Sequence, residues 1–137
     1  MKVSELMTPH VESIAPSVNL RGAARKMKET GVGALPVIEE GKVRGIITDL
    51  DLACFAIAMG HDLNSVPVSK VMTKEVITCN AGQDVADAAK LMQAHHIRRL
   101  LVLKDDNSLA GFFSVDDLVR GSHDLAGAVL EAATPIH

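Results

Sequence analysis

The chain repeats itself, and no other feature constrains its fold as much. Displaced by 65 positions, Val3, Ser4, Met7, Thr8 and Val11 fall on Val68, Ser69, Met72, Thr73 and Val76. The register holds through Ala23, Ala24, Met27, Leu35 and Val37, which meet Ala88, Ala89, Met92, Leu100 and Val102. One extra residue in the turn at 104–108 then moves the offset to 66, and Gly45, Asp51 and Leu52 meet Gly111, Asp117 and Leu118. Two amphipathic segments matched by chance do not share thirteen identities in the same order with a single one-residue shift. The chain reads as a tandem duplication, with repeats at 1–62 and 63–137 and the connector at 60–67.

Each repeat spells the same series of elements. Asn19 and Asp84 are N-cap residues. After them Leu20, Ala23, Ala24 and Met27, or Val85, Ala88, Ala89 and Met92, recur at the three-and-four spacing of an apolar helix face. Gly31 is placed to stop the first of these helices. Apolar runs at 35–38 and 43–47, and at 100–103 and 109–113, flank polar turns and predict two hairpins. A second helix is expected from Leu50 to about Met59 in the first repeat, and from Val115 in the second, with Gly121 interrupting or ending it. The predicted fold class is therefore mixed α/β (α+β), strand, helix, strand, strand, helix in each copy. Neither half buries enough apolar surface alone, so the two are expected to pack sheet to sheet about a pseudo-twofold axis. Leu125, Val129 and Leu130 lie at helical spacing in the tail at 122–137, which is expected to follow the last helix and to help form a chain–chain contact.

Composition removes several function classes. The net charge is −3, with 14 Lys plus Arg against 17 Asp plus Glu, so nothing electrostatic points to nucleic acid or an anionic membrane. There is no Trp or Tyr, only Phe55, Phe112 and Phe113, which leaves few platforms on which bases can stack. The strongest apolar run, at 52–59, is too short to span a bilayer, and the residues after Met1 lack a signal core. Cys54 and Cys79 have no CxxC spacing and read as buried thiols of a cytoplasmic protein. The six histidines lack metal-ligand spacing and read as solvated, with His96 as a candidate near a ligand. No nucleophile elbow, Walker loop or dinucleotide fingerprint is present, so no enzyme activity is expected. Met7, Met27, Met72 and Met92, at equivalent places, are assigned to the core.

One pattern carries chemistry. Gly45-Ile46-Ile47-Thr48-Asp49-Leu50-Asp51 and Gly111-Phe112-Phe113-Ser114-Val115-Asp116-Asp117 both read G-h-h-[ST]-x-x-D. The hydroxyl falls where a strand becomes a helix, beside unpaired amides that favour phosphate. The carboxylate one turn later can accept hydrogen bonds from adjacent ribose hydroxyls. The same [ST]-x-x-D is also a capping box, in which both side chains satisfy the helix's own amides, and duplication copies caps as faithfully as sites.

The ordered set of motifs resembles the cystathionine-β-synthase (CBS) domain family, as a tandem pair or Bateman module. The set comprises the Val-Ser-x-h-Met-Thr openings at Val3 and Val68, the Ala-Ala-x-x-Met helices, Leu35-Pro36-Val37, and G-h-h-[ST]-x-x-D twice. The resemblance implies two β-α-β-β-α repeats and two clefts for adenosine-type regulatory ligands (AMP, ADP, ATP, S-adenosylmethionine or similar), with no other cofactor. By motif position, Asp51 and Asp117 would hold riboses, and Thr48 and Ser114 phosphate or ribose oxygens. Ser13, Ile14 and Ala15, with Thr78, Cys79 and Asn80, would offer backbone groups to adenine, and Val32, Ile97 and Pro36 its apolar walls. The repeats depart from each other at Gly31-Val32-Gly33-Ala34 against His96-Ile97-Arg98-Arg99, and Leu101 replaces the proline of the first copy. Arg98 and Arg99 can grip phosphate bidentately, so the Ser114 and Asp117 site is expected to be the tighter one. A homodimer and a separate effector protein are the implied partners. The competing reading is a dimerisation or scaffold module whose clefts bind no nucleotide.

Overall fold

The structure, a computed structural model, describes residues 1–134. Its elements are α1 (Val3–Leu6), α2 (Leu20–Thr30), β1 (Ala34–Glu39), β2 (Lys42–Thr48), α3 (Asp49–Asp51), β3 (Thr78–Asn80), α4 (Val85–His95), β4 (Arg99–Leu103), β5 (Leu109–Ser114), α5 (Val115–Gly121) and α6 (His123–Ala133). A π-helical stretch, Leu52–Ile57, follows α3, and a 3-10 turn, Val68–Lys70, opens the second repeat.

Local signals act where they were expected. The Asn19 side chain accepts from the Gly22 amide at 2.7 Å and the Asp84 side chain from the Ala86 amide at 2.9 Å, so each long helix begins at its cap. Gly31 ends α2 in the left-handed region, φ 71°, which costs glycine nothing. His96 ends α4 in the same conformation. Its ring Nδ1 lies 2.8 Å from the Ala132 carbonyl oxygen, which ties the imidazole to the end of α6. α5 ends at Gly121 and Ser122 caps α6, accepting from the Leu125 amide. Within α6 Val129 is buried, while Leu130 is partly exposed; of the tail, residues 135–137 lie outside the described residues.

The compact units cut across the repeats expected at 1–62 and 63–137. One unit joins Met1–Val11 to Ile77–His137, and the other is Glu12–Val76. Each opening segment therefore packs on the hairpin of the other repeat. Thr8 and Phe112 exchange both backbone hydrogen bonds (2.8 and 2.9 Å), and Thr73 and Ile46 do the same (both 2.9 Å). The two hairpins share their register down to a bulge after Val37 and after Val102. Their cores are equivalent too: Leu20, Ala23, Met27, Leu35, Val37 and Ile47 in one unit, Val85, Ala88, Met92, Leu100, Val102 and Phe113 in the other. Met27 and Met92 are buried, and Met7 and Met72 pack against their cores.

Two differences separate the copies, and the first has its cause in one residue. β3 runs parallel to β4 and the Ala81 amide extends the pairing to the Leu103 carbonyl. At the equivalent place stands Pro16, which has no N–H, so the first-repeat strand shrinks to a bridge between Ile14 and Val37. The second helix of the first repeat, expected as α-helix to about Met59, is one α-turn followed by π-type bonds, Ala58 amide to Ala53 carbonyl (3.1 Å) and His61 amide to Ala56 carbonyl (2.9 Å).

The crossing of the opening segments explains the glycine that begins each G-h-h-[ST]-x-x-D. A Cβ on Gly111 would lie 2.4 Å from the Thr8 carbonyl oxygen, and one on Gly45 would lie 2.7 Å from that of Thr73. Gly111→Ala is expected to destabilise by at least the ~1–3 kcal/mol of core overpacking. Gly127→Ala, in α6 with nothing within 4 Å of the added carbon, should be neutral or stabilising by up to ~1 kcal/mol. Denaturant unfolding of the two variants checks this.

Candidate functional site

The site residues are built from the end of each hairpin. Thr48 and Ser114 close strands β2 and β5 opposite Ala34 and Arg99. The next amide folds back onto the preceding loop: Asp49 donates to the Gly33 carbonyl (2.8 Å) and Val115 to the Arg98 carbonyl (2.9 Å). The chain thus turns sharply into helix with the hydroxyl residue as N-cap. In the first unit formed by Glu12–Val76, the Thr48 amide donates to Asp51 Oδ2 (3.0 Å) and the Asp51 amide to Thr48 Oγ1 (3.0 Å). In the other unit the Ser114 amide donates to Asp117 Oδ2 (2.9 Å) and the Asp117 amide to Ser114 Oγ (3.3 Å). Both junctions are complete capping boxes.

Caps alone leave the burial unexplained. Asp51 and Asp117 are each 6% exposed, and among the described residues they are the buried polar or charged side chains. Carboxylates are rarely buried to this degree unless paired. Asp117 is paired: Arg120 Nη2 donates to its Oδ1 at 2.6 Å and to the Leu6 carbonyl at 3.0 Å. Asp117 Oδ2 accepts a further bond from the Ser114 hydroxyl at 3.1 Å. Asp51 is not paired in this way. Among the described residues no side chain or amide donates to its Oδ1, and that atom is not sealed from solvent.

The adenine-facing candidates are placed as follows. Ile14 is buried and both its backbone groups bond β1, to the Pro36 carbonyl (3.0 Å) and from the Ile38 amide (2.9 Å). The Ser13 carbonyl accepts from the Lys26 ammonium, which also pairs with Glu12. The Ala15 carbonyl accepts from Val18, and among the described residues the amides of Ser13 and Ala15 donate to no acceptor. In the other unit Asn80 closes on Gln83 through both backbone groups, leaving Thr78 beside buried Cys79. Pro36 is buried in β1, Ile97 is half-buried and Val32 is exposed. Arg98 and Arg99 are exposed and, among the described residues, form no ion pair. Arg120 was not anticipated from the sequence; its spacing of three from Asp117 on a helix is the signal that identifies it.

The two thiols differ in exposure. Cys79 is buried as expected, and burial pushes its thiol up to about 11. Cys54, expected to be buried, is exposed on the π-helical stretch. It lies off the buried face marked by Leu52 and Ala56, as its exposed counterpart Arg120 lies off that of α5. No group of three or more potential metal ligands occurs among the described residues, and none of their helices is long and apolar enough to cross a membrane. At pH 8 a disulfide reagent should modify one thiol rapidly in the native protein and two after denaturation, with Cys54→Ser abolishing the rapid phase. Cys79 has a raised folded pKa. Its stabilising contribution is therefore complete below the ordinary thiol value of 9.0 and lost as the pH rises through about 11.

Comparison with known proteins agrees with this architecture. The CBS-domain family model matches residues 3–56 and 68–124. The CBS domain-containing protein YhcV of Bacillus subtilis is 38% identical over 93% of this chain and 91% of its own length. A protein with CBS domains from Burkholderia ambifaria, provisionally designated for signal transduction, superposes with a TM-score of 0.79 at 25% identity, covering 90% of this chain and 95% of that one. A hexameric CBS-CP12 protein from bloom-forming cyanobacteria superposes with a TM-score of 0.75 at 30% identity, covering 87% of this chain and 66% of that one.

Proposed function

Because the chain belongs to the CBS-domain family, whose members are regulatory modules, we propose that it senses adenosine-type nucleotides and reports their binding to a separate protein. AMP, ADP, ATP and S-adenosylmethionine are the ligand class, bound without turnover. The observation that carries this reading is the pair of buried aspartates at duplicated strand-to-helix junctions, the buried polar side chains among the described residues. A cap needs one carboxylate oxygen. Burying the whole group costs solvation that an ordinary surface cap avoids; Arg120 offsets that cost at Asp117, and at Asp51 a ribose would supply the donors that offset it. Thr48 and Ser114 stand beside the carboxylates for sugar or phosphate oxygens, and the open amides of Ser13 and Ala15 suit the edge of a base. Exposed Arg98 and Arg99 suit phosphate.

A second reading is favoured by one observation. Leu50 (66% exposed), Phe55 (55%), Ile57 (65%) and Met59 (71%) leave an apolar surface on residues 49–59. Their counterparts in the second repeat are Asp116, Gly121, His123 and Leu125, so this surface is not demanded by the fold. It supports a homodimer, as an accompaniment to nucleotide binding or, in the scaffold reading, as the whole function.

A thermal-shift panel separates the two. In protein freed of co-purified ligand, a nucleotide at ~100 times its dissociation constant adds ~2.7 kcal/mol to stability. That corresponds to a midpoint rise on the order of 5 to 12 °C. If AMP, ADP, ATP, S-adenosylmethionine and NAD all leave the midpoint where it was, the sensor reading fails. A dimer by light scattering that loses mass on Phe55→Glu would then favour the scaffold.

A further inference from the structure

We infer that the two duplicated sugar positions are not equivalent: Asp51 is free to hold a vicinal diol, and Arg120 withholds Asp117 from one. This rests on the nucleotide reading above and decides which half of the duplication acts. The backbone cannot be the source of the difference. Both carboxylates are fixed by the same amide in the same cap, at 3.0 Å from Thr48 and 2.9 Å from Ser114, and both are equally buried.

The difference lies one helical turn further on. The residue three after Asp117 is Arg120, and its counterpart three after Asp51 is Cys54. Arg120 Nη2 bridges Asp117 Oδ1 (2.6 Å) and the Leu6 carbonyl (3.0 Å), so the guanidinium is held from two sides within one unit. Cys54 carries no charge and is exposed. The hydroxyls repeat the distinction. Ser114 Oγ donates to Asp117 Oδ2 at 3.1 Å, whereas Thr48 Oγ1 accepts from the Asp51 amide and, among the described residues, donates to no acceptor.

Adjacent hydroxyls on a sugar are two donors, and they bind a carboxylate best when an oxygen is open to receive them. Asp51 Oδ1 is such an oxygen. At Asp117 both oxygens face donors already, Oδ2 the Ser114 amide and hydroxyl and Oδ1 a charge-assisted bond from arginine, so a sugar that takes both hydroxyls to Oδ1 must first displace Arg120. The proximity of Arg98 and Arg99 in sequence does not overcome that requirement, and the expected order of the two sites is reversed: the site of the first repeat is the tighter one.

Isothermal titration calorimetry with AMP as the probe tests this, with each variant first shown by circular dichroism to be folded. The wild-type chain should bind one AMP, and Asp51→Asn should weaken that event by about ten- to a hundredfold, the range for loss of a hydrogen bond to a charged group. Arg120→Met should add a second AMP per chain, and Asp117→Asn in that background should remove it again. Cys54→Arg, at an exposed position, transplants the arginine and should weaken the first site without requiring Arg120 to be removed. Two equal sites in the wild type, or wild-type binding lost on Asp117→Asn and kept on Asp51→Asn, overturns the inference while leaving the nucleotide reading intact. Absence of AMP binding to both the wild type and Arg120→Met, together with an unresponsive thermal-shift panel, overturns the two together.

Discussion

The exchange of backbone hydrogen bonds between an opening segment and the hairpin of the other repeat is the constraint on which the rest depends. Thr8 with Phe112, and Thr73 with Ile46, each form a two-bond antiparallel bridge. Such a bridge satisfies the outer edge of β5 or β2, which would otherwise present unpaired amides. It also explains why each site motif starts with glycine, since the Thr8 and Thr73 carbonyl oxygens occupy the space of a side chain at Gly111 and Gly45. The strand that leaves this crossing at Phe112 or Ile46 ends two residues on, in Ser114 or Thr48. Fixing one end of so short a strand fixes the turn at the other.

What could be read in the sequence was whatever local chemistry decides. The caps at Asn19 and Asp84, the glycine stop at Gly31, both hairpins and the end of α5 at Gly121 depend on residues within a turn of one another. The repeat itself made the fold legible, because each copy checks the other. Three features were not legible for physical reasons. Which repeat an opening segment pairs with depends on contacts distant in sequence, Thr8 with Phe112 and Thr73 with Ile46, and a duplicated sequence offers two equivalent partners. The π-type bonds at Leu52–Ile57 replace the α-helix that the apolar run predicts, and Cys54 within that run is exposed. The loss of strand pairing at residue 16 follows from a single missing N–H in Pro16, a local cause whose effect shows only once the partner strand is in place.

The candidate site was legible as a motif but not as a state. Residue type placed the hydroxyl and the carboxylate at the junction, and the structure puts Thr48 with Asp51 and Ser114 with Asp117. Whether those groups remain available depends on side chains outside the motif. Lys26 engages the Ser13 carbonyl from α2, and Arg120 reaches back to Asp117 from the next turn. Neither contact alters the motif, and neither has an equivalent at the same position of the other repeat, where Leu91 and Cys54 stand.

Capping and ligand binding are usually set against each other as explanations of [ST]-x-x-D, but the geometry makes them compatible. A carboxylate has two oxygens, and the helix amides here engage one of them, Oδ2, in both repeats. The cap then serves the site: it holds the aspartate in one rotamer, so that no side-chain entropy remains to be lost when a ligand arrives. What separates a binding junction from a purely structural one is the company of the second oxygen. In the first repeat Asp51 Oδ1 meets no protein donor among the described residues. In the second, an arginine one turn away supplies the missing charge from within the fold. On the proposed reading, a duplicated domain silences one of its two sites without touching the motif that defines them, by a single change on the helix that the motif begins.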